Sequence, residues 1–306
     1  MEIFLTLLFK IIPLYIIIFL GFIAGKYLNV SKESIANVLI YTIVPVVVFN
    51  GIVNTKITPG TLSIPLLFFL LACITSLLTY HFSGYIWKDS TRNILSFMGG
   101  SSNTGYFGLP VAIAMFGEKA VGIVALAIIG GSLYNNTFGY FLAAKGNYST
   151  KESLIKVVKL PILYAFFLGL IVNIAGFHLG TIFLDTANNF NGAFTIMGMM
   201  LIGIGLGDMK KYEFDLKFIA FALAITYLLW PILMLLIIFI DQHTFRIYDP
   251  NLYKMLLLLS MLPVAANLVS YSTILKIHPE KTALVVTIST LFALLYIPLM
   301  AVYFLK

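Results

Sequence analysis

The residues best suited to bind a ligand lie together in one apolar stretch of the chain, between positions 99 and 110. Ser102, Asn103 and Thr104 are consecutive there, and their side chains offer hydrogen-bond donors and acceptors without any charge. Glycines and a proline surround them, at Gly99, Gly100, Gly105, Gly108 and Pro110. Glycine loosens a helix and proline removes one of its hydrogen bonds, so this stretch predicts a helix that is broken in the middle.

A broken helix inside a membrane has chemical consequences. Lipid cannot satisfy the backbone groups that the break frees, so the segment must be buried in protein or line a wet cavity. The break also exposes the N-terminus of a half-helix, whose free amides and partial positive charge can hold an anion. Together with the neutral side-chain donors, this chemistry suits a carboxylate. A pair of packing kinks, in which small residues let helices approach, is the alternative explanation of the same residues.

A milder copy of the pattern follows near the other end of the chain. The tetrapeptide Leu-Pro-Val-Ala occupies positions 109–112 and again 262–265, and the second copy is followed by further polar residues. The predicted substrate-binding residues are Ser102, Asn103, Thr104, Gly105, Pro110, Pro263 and Asn267. Behind them we place Asn135, Asn136 and Ser270; the two asparagines either satisfy the broken helix or touch the ligand.

These residues must be positioned by membrane-spanning helices. The chain of 306 residues is 60% hydrophobic and only 10% charged, whereas soluble domains are about 25% charged. A span needs about 20 mostly apolar residues. Ten stretches approach that length, at roughly 4–25, 35–53, 62–82, 94–116, 120–143, 158–177, 189–207, 215–240, 252–275 and 282–305. The sequence therefore predicts an all-α polytopic membrane protein of ten transmembrane helices.

Internal repetition predicts how these helices are arranged. In the first span Pro13 precedes Gly21 by eight positions, and in the sixth Pro161 precedes Gly169 by the same eight. The Leu-Pro-Val-Ala copies relate the fourth span to the ninth in the same way. Two collinear matches predict a first five-helix repeat over 1–144, a connecting loop over 145–157 and a second repeat over 158–306. Because each half has an odd number of spans, the second half enters from the opposite side, an inverted repeat typical of secondary transporters.

Charged residues predict the orientation of the chain. Most Lys and Arg residues fall in the odd-numbered loops, which the positive-inside rule places in the cytoplasm. We therefore expect a multi-pass protein of the cell membrane with both termini extracytoplasmic and the 145–157 loop cytoplasmic.

Gly203 and Gly207, four residues apart, predict a close-packing helix face rather than a phosphate loop.

Several functions are disfavoured by what the sequence lacks. No Asp or Glu falls at the centre of a predicted span, which argues against a buried carboxylate proton relay. We find no spacing typical of metal ligands, of a nucleophile and its base, or of a phosphate or dinucleotide loop. The net charge of +7 comes from scattered lysines rather than a dense basic run. The sequence thus predicts no enzyme, no cofactor, no metal site and no nucleic-acid partner.

The motif Ser102-Asn103-Thr104, followed by Gly108-Leu109-Pro110, resembles the signature of the auxin efflux carrier family, in particular its prokaryotic members. The segment 261–267, Met-Leu-Pro-Val-Ala-Ala-Asn, and Val44-Pro45 in the second span support the resemblance. The resemblance implies a five-plus-five inverted repeat in which broken helices 4 and 9 cross, as in bile-acid symporters. It also implies a scaffold of spans one, two, six and seven, with the other spans moving as an elevator.

Family substrates are small organic anions, so the resemblance implies a secondary transporter that moves a carboxylate across the bilayer. A sodium-coupled organic-anion symporter of the same fold and a non-transporting ligand-binding sensor are the alternatives. The coupling ion, H⁺ or Na⁺, stays open in the sequence, as do the substrate and the direction of transport. Association into a homodimer is consistent with the resemblance.

Overall fold

The structure, a computed structural model, describes residues 2–144, 161–177, 179–207 and 214–304. Within these ranges it is all-helical, and the predicted connecting loop at 145–157 lies outside them. In chain order the helices are α1 (Glu2–Leu28), α2 (Glu33–Val53), α3 (Pro59–Ser83), α4 (Thr91–Gly99), α5 (Thr104–Phe116), α6 (Ala120–Ala144), α7 (Pro161–Ile174), α8 (Thr181–Gly207), α9 (Leu216–His243), α10 (Pro250–Ser260), α11 (Leu268–Leu275) and α12 (Pro279–Phe304).

Seven of these helices are long and apolar enough to cross a membrane, which confirms a polytopic membrane protein. They are α1, α2, α3, α6, α8, α9 and α12. Large apolar side chains such as Phe9, Leu66, Phe239 and Leu295 are exposed on their outer faces. Such a surface suits lipid, which needs no polar partner.

The chain leaves the helical conformation at both places where the sequence predicted a break. Residues 100–103 separate α4 from α5, and residues 261–267 separate α10 from α11. The two Leu-Pro-Val-Ala copies nevertheless hold different positions relative to the breaks. The first begins the regular α-helical part of α5, Leu109–Phe116, whereas the second lies within the non-helical segment. Pro110 is therefore inside a helix, and Pro263 is in a break.

Three of the described helices contain a wide π turn that ends two positions before a proline. The turns are Leu39–Ile43, Thr104–Gly108 and Ile225–Leu229, and the prolines that follow are Pro45, Pro110 and Pro231. Proline donates no hydrogen bond, and its ring clashes with the carbonyl four residues earlier. The extra residue of a π turn widens the helix at that point and lets it continue through the proline.

Glycines hold α1 and α8 together at backbone distance. A Cβ atom built on Gly25 would lie 2.8 Å from the carbonyl oxygen of Ile204, and one on Gly207 would lie 2.8 Å from that of Phe22. Only glycine, whose side chain is a single hydrogen atom, permits the two backbones to come this close. The close-packing face predicted for Gly203 and Gly207 is confirmed, because Gly203 meets the backbone of α1 in the same way.

Candidate functional site

The two breaks are joined to each other by backbone hydrogen bonds. Ser102 and Val264 form an isolated antiparallel β-bridge. The amide of Asn103 donates to the carbonyl of Pro263 at 2.8 Å, and the amide of Ala265 donates to that of Ser101 at 3.1 Å. Each break thus supplies partners for backbone groups that the other break frees, as a low-dielectric environment requires.

Side chains from α9, from α6 and from the break itself satisfy the carbonyls at the end of α4. The indole Nε1–H of Trp230 in α9 donates to the carbonyl of Gly99 at 2.6 Å. The hydroxyl of Ser101 donates to the carbonyl of Phe97 at 2.8 Å, and the hydroxyl of Tyr134 approaches the same oxygen at 3.3 Å. The last carbonyls of a helix have no partner within it, so these donors stabilise the break.

The two asparagines of α6 also support the break. The hydroxyl of Ser101 has one proton, which it shares between Oδ1 of Asn135 at 2.6 Å and the carbonyl of Phe97 at 2.8 Å. Asn136 donates from Nδ2 to the carbonyl of Ser132 at 2.9 Å, and its Oδ1 accepts from the hydroxyl of Tyr271 at 3.1 Å. Asn135 therefore holds the first break in place, while Asn136 links α6 to α11.

A cavity of about 210 Å³ opens beside the two breaks. Its walls come from both breaks, from α5, α6 and α11, and from α2, α7 and α8. The lining residues are Ile40, Val44, Ser102, Asn103, Thr104, Gly105, Tyr106, Ile128, Gly131, Ser132, Asn135, Asn136, Ile162, Phe194, Ala265, Asn267 and Tyr271. None of these lining residues carries a charged side chain.

Three polar atoms of the lining are buried without a hydrogen-bond partner among the described residues. They are Oγ of Ser102, Nδ2 of Asn103 and Oδ1 of Asn267. A buried polar group left unpaired costs about 1–3 kcal/mol, so each is explained best by a ligand or solvent partner in the cavity. Asn103 and Ser102 can donate to such a partner, and Asn267 can accept from it.

Two helices also begin at this cavity. Asn103 and Asn267 immediately precede α5 and α11, respectively, and both residues line the cavity. The first amides of a helix lack intrahelical partners and carry a partial positive charge, roughly half an elementary charge per helix end. The site therefore offers positive potential and hydrogen-bond donors without a basic side chain.

The structure brings most of the predicted site residues together. Ser102, Asn103, Thr104, Gly105, Asn267, Asn135 and Asn136 all line the cavity. Pro110, Pro263 and Ser270 are not part of the lining. Pro110 is buried within α5, Pro263 supplies the carbonyl that pairs with Asn103, and Ser270 is exposed on α11.

Sequence reasoning missed the aromatic and aliphatic walls. Tyr106 stacks on Phe194, with ring centroids 6.4 Å apart, and Tyr271 closes the cavity from α11. Tyr106 lies inside the polar motif and was within reach of the same reasoning. Phe194, Ile40 and Ile162 come from distant helices as ordinary apolar residues, and no local pattern distinguishes them.

A polar cavity between two interrupted helices of a polytopic protein is an architecture typical of membrane transport proteins. The chain matches the family model described as "Membrane transport protein" over residues 6–301. It therefore belongs to this family, that of the auxin efflux carriers, which confirms the resemblance. It is also similar to a protein of Methanocaldococcus jannaschii named as an uncharacterised transporter, with 27% identity over 204 residues. That match spans 62% of this chain and 66% of the relative, just under two thirds of its length.

Proposed function

We propose that this protein is a secondary transporter that moves a small organic anion, such as a carboxylate, across the cell membrane. The observation that carries the proposal is the pair of unpaired donors at Ser102 and Asn103, beside two helix N-termini in a cavity without charged side chains. A carboxylate would accept from these donors and be stabilised by the helix ends. Binding by neutral donors avoids the desolvation cost of a buried basic side chain.

The remaining unpaired atom narrows the substrate chemistry. Oδ1 of Asn267 accepts hydrogen bonds and would be left unsatisfied by a carboxylate oxygen. A substrate that also carries a hydroxyl or N–H group would pair with it. The volume of about 210 Å³ and the rings of Tyr106, Phe194 and Tyr271 favour a compact anion with an apolar part.

The proposed architecture is ten spans in a five-plus-five inverted repeat, divided at 1–144 and 158–306. In this arrangement α4 with α5 forms the fourth span and α10 with α11 the ninth, and the two cross at the β-bridge between Ser102 and Val264. We propose both termini on the extracytoplasmic side, from the distribution of Lys and Arg. The opposed directions of the two bridged segments support an inverted repeat.

The proposed mechanism is an elevator movement. Spans one, two, six and seven would form the scaffold, to which α2, α7 and α8 contribute Val44, Ile162 and Phe194 on one cavity wall. The other wall, with Asn103 and Asn267, belongs to the part proposed to move. The side chains that α2, α7 and α8 contribute to the cavity are apolar, so sliding along them would break few hydrogen bonds.

Flux through proteoliposomes tests the proposal. Purified protein should take up a labelled hydroxycarboxylate or indole carboxylate, and Asn103→Ala should reduce uptake at low substrate concentration by at least about tenfold, because a hydrogen bond to a charged group contributes about 1.5–3 kcal/mol. Nδ2 of Asn103 has no described partner, so the same variant should keep the stability of the wild type. Substitution of a residue needed only for folding would instead lower the stability of the protein and leave the uptake by the folded fraction unchanged.

Asn251→Ala is the matched control, because Asn251 is exposed near the start of α10 and away from the cavity. It should transport normally. Unchanged uptake in Asn103→Ala would remove the assigned site. Tight binding of anions without flux would instead indicate a sensor, and uptake that requires a sodium gradient would indicate a symporter.

A further inference from the structure

A second polar cavity, of about 280 Å³, lies apart from the proposed substrate site. It is enclosed by the C-terminal end of α2, the start of α6 with the turn before it, and the first half of α8. Its lining residues are Asn50, Gly51, Asn54, Thr55, Glu118, Lys119, Val121, Gly122, Leu184, Asn188 and Asn191. It shares none of them with the first cavity.

Asn191 is the most deeply buried polar side chain among the described residues that line this cavity. Its side chain is 3% exposed, and Nδ2 donates to Oε2 of Glu118 at 2.7 Å. Oδ1 of the same amide is buried and has no hydrogen-bond partner among the described residues. The contact with Glu118 fixes the amide so that its acceptor, not its donor, is the unpaired atom.

Two residues at the end of α2 have used their side-chain donors as well. Nδ2 of Asn54 donates to the carbonyl of Asn50 at 2.8 Å and to its Oδ1 at 3.0 Å. The hydroxyl of Thr55 donates to the carbonyl of Gly51 at 2.6 Å. These donations are made within α2 and the residues that follow it. What the side chains of Asn54 and Thr55 have left to present to the cavity is therefore oxygen.

Two electrostatic features have the same sign as this oxygen lining. The C-terminal end of a helix carries a partial negative charge, and α2 ends at this cavity. Glu118 adds a carboxylate. The ammonium of Lys119 opposes them. Lys119 and Glu118 are both exposed, so water and salt screen both charges, but Glu118 is held at the cavity by the hydrogen bond from Asn191.

We propose that this second cavity binds a monovalent alkali cation, with Na⁺ as the probe, held by Oδ1 of Asn191, the carboxylate of Glu118 and the oxygens at the end of α2. Oxygen ligands suit hard cations, and the affinity for a divalent ion depends on how many charged ligands the site contains. One carboxylate among neutral oxygens matches a single positive charge. The proposal concerns binding alone and does not rest on the proposed function.

The geometry gives the cation a mechanical role. Asn191 lies on α8, Glu118 precedes α6, and Asn54 follows α2, so a cation between them joins three helices. Anything that binds only the folded form raises its apparent stability. Na⁺ should therefore stabilise this arrangement of the three helices, whether or not any substrate is present.

Thermal unfolding of the purified protein in detergent tests the site. Ionic strength is held constant with choline chloride while Na⁺ replaces choline, and parallel series use K⁺ and methylammonium. We expect a saturable rise in melting temperature of roughly 3 °C at ten times the dissociation constant of Na⁺. Glu118→Gln should lose the rise, because glutamine keeps an acceptor for Asn191 but removes the charge.

Glu33→Gln is the control, since it removes one exposed carboxylate at the opposite end of α2 and should leave the Na⁺ response unchanged. If Glu118→Gln does not fold, Asn54→Ala replaces it, because Asn54 is exposed and its loss should weaken the Na⁺ response. The proposal would be overturned if the melting temperature did not change when Na⁺ replaced choline, or if it rose with methylammonium but not with Na⁺. A rise with Na⁺ that is retained in Glu118→Gln would overturn it as well.

Discussion

Trp230 tests how the first helix break is stabilised. Its indole is 4% exposed, donates to the carbonyl of Gly99 at 2.6 Å, and has its ring 6.4 Å from that of Phe68. Trp230→Phe keeps an aromatic ring at this place and removes the N–H group. The carbonyl of Gly99, a buried residue, then loses its side-chain donor.

The magnitude follows from two terms. A buried carbonyl left without its partner costs about 1–3 kcal/mol. The smaller ring adds a cavity that costs about 1 kcal/mol, since the surroundings relax only in part. We therefore expect Trp230→Phe to lower the free energy of unfolding by about 2–4 kcal/mol.

The chain offers a matched control, because it contains only two tryptophans. Trp87 is half-buried and packs edge-on against Phe221, with ring centroids 5.5 Å apart. The structure records no hydrogen bond of its indole within the described residues. Trp87→Phe should cost less than about 1 kcal/mol, as partly exposed substitutions usually do.

Denaturant unfolding in a mild detergent provides the measurement. In the Trp87→Phe protein all indole emission comes from Trp230, so its spectrum reports the environment of the break itself. Equal destabilisation by the two substitutions, or a loss below about 0.5 kcal/mol in Trp230→Phe, would show that the indole donor is not needed to end α4.

Two further predictions concern stability. Gly203→Ala should destabilise the detergent-solubilised protein by about 1–3 kcal/mol, because its Cβ would overlap the backbone of α1, whereas Gly192→Ala on the same helix meets nothing within 4 Å and should be neutral or stabilising; equal melting temperatures would contradict the packing argument. At Asp215, hydrogen bonding from the backbone amide of Phe218, with help from Lys281 at 3.0 Å, lowers the pKa of the carboxyl. The unfolded state then binds its proton more readily, so stability is present above about pH 4 and lost as the pH falls through the lower folded pKa. Melting curves from pH 6 to pH 3 should show this loss in the wild type and a smaller one in Asp215→Asn.

The sequence predicted much of the membrane architecture, because lipid enforces a simple rule of length and polarity. It located both breaks, since glycine, proline and consecutive polar residues have few other uses inside a span. It also predicted the cluster of Ser102, Asn103, Thr104 and Asn267, which the structure brings to one cavity. The ten-span inverted arrangement stays a prediction.

What the sequence could not predict depends on long-range contacts. The donation from Trp230 to Gly99 joins residues 131 positions apart, and no local sequence pattern pairs them. The Leu-Pro-Val-Ala match correctly indicated which segments contain the breaks, but it did not indicate where each proline lies relative to its break. Pro110 follows its break by several residues, and Pro263 lies within its own, so identical letters hold different structural positions. The second cavity was missed because its amides are spread over distant segments.

The three π turns have a consequence for how this chain can vary. Each adds one residue to a helix, which rotates everything beyond it by about 100° about the helix axis. Deleting that residue alone would turn the downstream half to present another face and would bring the proline ring against the carbonyl before it. Replacing the proline alone would leave the wide turn without its cause. Insertion and proline therefore form a single heritable unit, gained or lost together, and alignments of such chains should place their single-residue gaps just ahead of Pro45, Pro110 and Pro231.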